Sequence, residues 1–451
     1  MALLTHREIE KFEPLIKPLE EEEPVLSSWR YHLDSDGRRQ NLFFRKIKDD
    51  IKRLYYYKEN ILLPQKGQIV ILMTSFSPSA SGSLKPIIGN LIKSQIKPYL
   101  VTYSKTKYAD DKNVDSVDMN QIMFSFFTHS YLKQIKQRAI DLAKIIEEKL
   151  SNEIEVNFYW IFEGIVAKEF ANKIVGQAGF ILADSDKESF RKGFFIGAKN
   201  VSSAILQHGF FDRMLFPIHS RFHFDWGPYF SKEALKYGHP LERSISLGCP
   251  RFDRIKKIKE EAKDLNYFQR YGIEKRPVVV ALSGVHIYKE FPQSIESFFQ
   301  SIISMLENNI AVIIKKHPAE VDKNIYKKFL GKKLLQKVHF AFSDEDFHQL
   351  LFNSDFVFTN ASAGSIEAML LGIPVLWQKG AEENPFADVP LLGGGVYVDS
   401  KTISSIVKEI GLDGIERKEI LEKQEKFLSQ AIVNRGKATS EITKFILNIT
   451  D

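Results

Sequence analysis

At 451 residues the chain is too long for one ordinary hydrophobic core, and two domains of about 200 residues each are expected. A composition of 44% hydrophobic and 27% charged residues excludes a disordered or fibrous chain. The +6 excess of 63 basic over 57 acidic residues is too small and too scattered for a dedicated nucleic-acid binder. A single cysteine, Cys249, excludes an intramolecular disulfide and a thiolate metal cluster and suits a reducing compartment. Met1 to Glu23 has no apolar segment of signal-peptide kind, and no apolar run reaches the roughly 20 residues that span a bilayer. A cytoplasmic protein is expected, with any membrane contact peripheral.

Residues 1–60 are charged and aromatic and read as a helical extension. Gln68 to Ser75, a β-branched apolar run after Gly67, reads as a buried parallel strand. A Ser/Pro/Gly loop to Ser83, a helix over Leu84 to Gln95 and a strand over Pro98 to Ser104 complete a βαβ opening. A long helix over Ser130 to Leu150 precedes three expected strands, Val156 to Phe162, Gly179 to Ala183 and Ser203 to Leu206. Helices over Ile165 to Val175 and Lys187 to Ala198 separate them, and strands at Phe222 to Trp226 and Ser244 to Leu247 close this half.

After the charged connection Phe252 to Arg270, the alternation restarts. Strands are predicted at Pro277 to Leu282, Ile310 to Lys315, Lys337 to Ala341, Phe356 to Thr359 and Pro374 to Trp377, with helices between them. The expected organisation is an extension (1–60), a Rossmann-like domain (61–255), a second Rossmann-like domain (270–400) and C-terminal helices (401–451) packing back on the first domain. The fold class is α/β, two Rossmann-like domains facing across a cleft. Open α/β sheets bind ligands at the carboxyl ends of their strands, which is where the chemistry-bearing residues fall.

In the second half, Thr359 to Ala368 passes from a strand through small and hydroxyl residues into a helix. The unpaired amides and positive dipole end of such a start favour phosphate, and small side chains let it approach. Asn360, Ser362, Ala363, Gly364 and Ser365 are the candidate phosphate contacts, and Glu367 can accept ribose hydroxyls. The alternative is a plain serine cap before a core helix. Lys315-Lys316-His317-Pro318 follows another strand, and proline fixes His317 at the sheet edge. An imidazole there can stabilise a departing nucleotide. A strand-terminal histidine without a task is the competing reading. Lys316, Pro318, Ser283 and Gly284 join the donor-side set.

In the first half, Gln207-His208-Gly209 follows a strand, and Ser81, Gly82 and Ser83 open the first helix; these are the acceptor-side candidates. A direct attack by an acceptor hydroxyl needs a general base. Glu163, Asp184, Asp186 and His208 all read as strand-end residues able to serve, or else as loop and helix-cap residues. Arg251 and Asp253 read best as an ion pair at the domain crossover. No His and carboxylate spacing suggests a metal, and no cofactor is expected.

The turn from Thr359 to Ala368, with Gly372-Ile373-Pro374 beyond it, resembles the nucleotide-sugar-binding half of GT-B glycosyltransferases. That resemblance implies phosphates at the helix start and a ribose contact at Glu367. UDP-sugar epimerases share the architecture. The His-Pro pair with the serine turn is similar to motifs of bacterial sialyltransferases and capsule-polysaccharide transferases, which implies a CMP-linked acidic sugar donor. A similar pair occurs in CDP-glycerol polymer transferases. Phe162-Glu163-Gly164 partly resembles the acidic-acidic-Gly base motif of sialyltransferases, with Phe162 at the first acidic position.

The expected activity is therefore metal-independent transfer of a sugar from a nucleotide donor to a glycan or glycolipid acceptor. The alternatives are a nucleotide-sugar epimerase or hydrolase, a CDP-glycerol-type transferase, or a non-catalytic glycan-assembly subunit.

Overall fold

A computed structural model describes residues 6–27, 61–74, 78–102, 111–150, 156–211, 215–274, 277–285, 291–317, 320, 324–360, 362–379, 388–412 and 414–450. The chain divides into two compact units. Unit 1 is Met1–Arg251 with Lys437–Asp451, and unit 2 is Phe252–Gly436.

Unit 1 runs α1 (His6–Glu22), β1 (Gln68–Met73), α2 (Pro78–Lys93), β2 (Tyr99–Thr102), β3 (Asp115–Asp118), α3 (Met119–Ser125) and α4 (His129–Lys149). It continues through α5 (Phe158–Ile174), β4 (Ala178–Ala183), α6 (Ser189–Gly197), β5 (Ser203–Leu206), β6 (Phe222–Asp225), α7 (Pro228–Lys236) and β7 (Ser244–Ser246). The strands form one parallel sheet in the order β3-β2-β1-β4-β5-β6-β7. The order reverses direction between β1 and β4, so the carboxyl ends of those two strands flank the natural ligand crevice.

Unit 2 runs α8 (Asp253–Lys259), β8 (Val278–Leu282), α9 (Pro292–Glu307), β9 (Ala311–Lys315), α10 (Ile325–Leu335), β10 (His339–Phe340), α11 (Phe347–Asn353) and β11 (Phe356–Thr359). Then come α12 (Gly364–Leu370), β12 (Val375–Gln378), α13 (Asp388–Leu391), β13 (Val396–Val398), α14 (Ile403–Ile410) and α15 (Ile415–Ala431). This sheet is also parallel, ordered β10-β9-β8-β11-β12-β13, and its switch point lies between β8 and β11.

The central strands form where the sequence is continuously apolar, because both faces of a parallel sheet are covered. All of β1, β8 and β11 is buried. Each fully buried Val, Ile or Leu contributes roughly 1.5–3 kcal/mol. In unit 2, Phe298 of α9 stacks on Phe358 of β11 with ring centroids 4.9 Å apart. In unit 1 the core is completed by the last helix, α16 (Ala438–Thr450). Its Ile442 and Ile446 are fully buried, and Phe445 packs edge-on against Phe222 and Phe224 of β6.

Three expectations are corrected. The aromatic run Val156 to Phe162 is not a strand. Asn157 accepts the Tyr159 amide at 3.0 Å and starts α5, a helix buried on nearly all sides. A continuous apolar run fits a buried helix as well as a buried strand, and here the 17-residue length decides. Two short strands, β3 and β13, were not expected; β3, sequence DSVD, is an edge strand with little apolar signal. Of the C-terminal helices only α16 belongs to unit 1. α14 and α15 belong to unit 2, where Gln424 of α15 accepts the Val375 amide at 2.9 Å and donates to the Ile373 carbonyl at 3.1 Å. Residues 28–60 of the expected extension lie outside the described residues.

Helices α5 and α6 pack backbone against backbone. A Cβ on Gly193 would stand 2.0 Å from the Gly164 carbonyl oxygen, and one on Gly197 would stand 2.2 Å from that of Lys168. Alanine is worth about 1 kcal/mol more than glycine within a helix. Forcing two packed helices apart costs about 3 kcal/mol, which outweighs that gain. Gly193→Ala is expected to lower the urea midpoint of unit 1 by a corresponding amount, whereas Gly89→Ala in α2, with nothing within 4 Å of the added carbon, leaves it unchanged or raised.

Candidate functional site

The strand order of unit 2 sets three of its motifs side by side. Ser283-Gly284 follows β8, Lys316-His317 follows β9 and Asn360 to Ser362 follows β11, with β8 between the other two. Gly284 leaves room for the Asn360 side chain, whose oxygen would lie 2.6 Å from a Cβ at that position. Ser283 is buried and turned inward: its Oγ accepts the Val285 amide at 3.3 Å and contacts the Tyr326 hydroxyl at 2.8 Å. Tyr326 also hydrogen-bonds the Glu320 carboxylate, which accepts the His317 amide at 2.8 Å. This chain braces the His317 backbone and leaves that residue exposed. The Lys316 ammonium lies 4.4 Å from the centroid of Phe340 and 5.1 Å from that of Tyr326, a cation–π seat on its own unit. Pro318 lies outside the described residues.

The expected unpaired amides at the start of α12 are not found, and His317 does not stand beside them. His317 and the serine turn are two strand spacings apart, about 10 Å. Three amides of the turn are also already bonded. Ser362 N donates to Thr359 Oγ1 at 3.0 Å, Gly364 N to Ser362 Oγ at 3.2 Å and Ser365 N to the Ser362 carbonyl at 3.0 Å. Ser362 thus closes the turn that leads into α12, whose N-cap is Ala363. Gly364 is buried under Phe347 and Leu282, and the hydroxyl of fully buried Ser365 has no partner among the described residues. Ser362 and Ala363 are half-buried. Glu367 is buried, and its Oε1 lies 2.8 Å from Nε2 of His348, a residue sequence reasoning missed. Asp346 caps α11 and sets His348 in its first turn.

In unit 1, Asp184 ends β4 at the switch point, and Gln207-His208 ends the neighbouring β5. Asp184 and Arg191 of α6 form an ion pair with both side chains at most 2% exposed, and Arg191 also holds Glu188 at 2.8 Å. The second Asp184 oxygen, Oδ2, is buried with no partner among the described residues, and Asp184 lines a small cleft together with His208, His223, Phe211 and Leu215. His208 Nδ1 lies 3.0 Å from the Asp184 carbonyl oxygen. A carbonyl only accepts, so the proton is on Nδ1 and the lone pair on Nε2. Burial lowers the His208 pKa, with Arg191 and Arg251 acting in the same sense against Asp184, and keeps the ring neutral. A neutral imidazole with a committed tautomer is a ready proton acceptor.

The other first-half candidates have structural duties. Gln207 is buried; its amide accepts the Trp226 N–H at 2.9 Å and donates to the Gly209 carbonyl at 2.9 Å, so it shapes the loop. Asp186 accepts the His219 amide at 2.6 Å and is fully buried. Burial raises its pKa, with Lys192 opposing. Ser81, Gly82 and Ser83 lie within α2, not in a preceding loop; Ser83 is buried, and Gly82 abuts the Arg251 side chain. Arg251 donates to the His208 carbonyl at 3.3 Å and so holds the loop. Glu163 lies on α5, not at a strand end. Burial first, and the Glu188 charge second, push its carboxyl up to about 8, so it is protonated at neutral pH and unsuited to act as a base. Among the described residues no cluster of three or more His, Cys, Asp or Glu side chains could hold a metal, and no helix is long and apolar enough to cross a membrane.

A family model described as UDP-N-acetylglucosamine 2-epimerase matches residues 211–385. A search of curated proteins finds no match. Among solved structures, UDP-GlcNAc 2-epimerase from Methanocaldococcus jannaschii, in complex with UDP-GlcNAc and UDP, is 15% identical with a TM-score of 0.51, over 84% of this chain and 99% of that one. S. aureus MnaA, solved with UDP, is 13% identical with a TM-score of 0.52, over 85% and 97%. The wall teichoic acid polymerase TagF is 11% identical with a TM-score of 0.50, over 91% and 95%.

The fold is the GT-B-like pair of Rossmann domains. These relatives are epimerases and a polymerase; the sialyltransferase likeness and the CMP-linked donor gain no support from them.

Glu163 gives a pH test. Its folded pKa of about 8 stands above the ordinary carboxylate value of 4.5, so the folded state binds the proton more tightly than the unfolded chain. The stability this contributes is complete below about pH 4.5 and is lost as pH rises through 8. Urea unfolding at pH 5, 7 and 9 is expected to show a decline across this window that Glu163→Gln flattens.

Proposed function

We propose that this protein acts on a nucleotide-activated sugar; unit 2 carries the nucleotide-binding features, and unit 1 carries a proton-accepting imidazole, His208. The reaction favoured is inversion at C2 of a UDP-N-acetylhexosamine. The observation that carries the reading is the Nδ1 contact of His208 with the Asp184 carbonyl, which leaves Nε2 as a proton acceptor at the carboxyl edge of a switch-point sheet. The match of residues 211–385 to an epimerase family supports the choice of reaction, and the epimerase structures solved with UDP support the choice of nucleotide.

The chemistry explains why both functions are required. A C2–H bond of a sugar is not acidic by itself. It yields its proton when the neighbouring C1–O bond breaks in the same process, the electron pair forming C1=C2 and the nucleoside diphosphate leaving. A base and a seat for a departing anion must therefore work together. Once the nucleotide has left, the planar C1=C2 intermediate turns over in the site, the imidazolium returns the proton to what was the opposite face of C2, and the nucleoside diphosphate adds back to C1 to give the epimer. In this reading His208 Nε2 takes the proton and Asp184, held by Arg191, stabilises the imidazolium that forms. His317, Lys316, Asn360, Ser362, Ala363 and Gly284 line the nucleotide's phosphate side, with Glu367 at the ribose.

A second reading shares the base. An imidazole that takes a proton from carbon can equally take one from an acceptor hydroxyl, and the fold of TagF extends over 91% of this chain. One experiment separates the two. The protein is incubated in D2O with UDP-N-acetylglucosamine alone, and the sugar C2 position is followed by NMR. Deuterium entry at C2 with formation of the manno epimer is the expected result. His208→Gln is expected to slow it by about 10²–10⁴. Absence of exchange, together with turnover of a nucleotide donor only when a glycan or polyol acceptor is added, would establish the transferase instead.

A further inference from the structure

The His348–Glu367 pair is a buried polar contact that neither sheet needs. His348 opens α11 and Glu367 lies in α12, 19 residues later, and both side chains are about 5% exposed. Nε2 meets Glu367 Oε1 at 2.8 Å, while Nδ1 is buried with no partner among the described residues. Placing the imidazole proton on Nδ1 would bury an unsatisfied donor and set a lone pair against a carboxylate oxygen. The proton is therefore on Nε2, donated to Glu367.

This bond has a geometric consequence. A glutamate on a helix has three side-chain torsions, and without a partner its carboxylate turns freely about the last of them. Tying one oxygen to a ring that cannot move fixes the plane of the group. His348 has no such freedom, because α11 is locked against α12: Phe347 lies where a Cβ on Gly364 would come within 2.8 Å of its ring, and Asp346 caps the helix through the amides of His348 and Gln349.

We propose that His348 is a positioning residue for the nucleotide's ribose, orienting the Glu367 carboxylate to accept the 2′- and 3′-hydroxyls. The inference rests on the nucleotide reading of unit 2 given above. It makes the site selective for ribonucleotides through a side chain that need not touch the ligand.

The test compares UDP with 2′,3′-dideoxy-UDP by isothermal titration calorimetry. The wild-type protein is expected to bind UDP at least about tenfold more tightly than the dideoxy analogue, as hydroxyls bonded to a charged acceptor require. His348→Leu should bring the two affinities together by weakening UDP alone, and His348→Gln, which restores an N–H donor, should recover most of the difference. A His348→Leu protein that keeps the wild-type ratio, or loses both nucleotides equally, overturns the proposal. Glu367→Gln covers the case in which His348→Leu does not fold. It presents an N–H where the ribose needs an acceptor, so it too should abolish discrimination, and an unchanged ratio overturns the proposal. A wild-type protein that binds neither nucleotide refutes the nucleotide reading itself, an outcome distinct from failure of the His348 role.

Discussion

A guanidinium shut away from water governs unit 1. Arg191 is only 2% exposed, and an unpaired charge at that depth would cost several kcal/mol, so the surroundings must answer it. Asp184 and Glu188 do so. The same pairing immobilises the residue whose carbonyl receives the His208 ring, and so the charge on α6 determines which nitrogen of an imidazole on the neighbouring strand end is basic. The arrangement depends in turn on α6 lying within backbone contact of α5, which only glycine at 193 and 197 permits. Helix packing, ion pair and tautomer form one chain of cause.

Unit 2 is organised by steric fit more than by charge. At its switch point Gly284 accommodates the Asn360 side chain, and Gly364 accommodates Phe347 and Leu282. Small residues at those places let two turns approach each other at the carboxyl edge of the sheet. The polar groups beneath are largely committed to one another. Ser283, Tyr326, Glu320 and the His317 amide form one run, Thr359, Ser362 and Gly364 a second, and His348 with Glu367 a third. Such satisfied networks hold the carboxyl edge of the sheet in one shape.

Much of the architecture was legible in the residues themselves. β1, β8, β9 and β11 announce themselves as short β-branched runs closed by small or polar residues, and the carboxyl-edge position of His317 and Ser362 follows from that, as the position of His208 follows from the apolar run of β5. What escaped was tertiary in origin. The run Val156 to Phe162 has the composition of a strand, and it is helical as part of the 17-residue buried helix α5. Glu163 looks like a strand-end base until burial is seen to keep it protonated. The tautomer of His208 depends on a carbonyl 24 residues away, and His348, which meets Glu367, lies on a different helix. Neither spacing belongs to any local period, so no pattern along the chain could reveal it.

The path of the polypeptide carries one more implication. Because α16 fills the first unit's interior from the far end of the sequence, that interior stays open while roughly 185 intervening residues emerge from the ribosome. Greasy side chains such as Phe222 and Phe224 must wait for Phe445 throughout that interval. Synthesis thus imposes an order of assembly on the molecule: the second unit can close upon itself first, and the earlier-made one is sealed last.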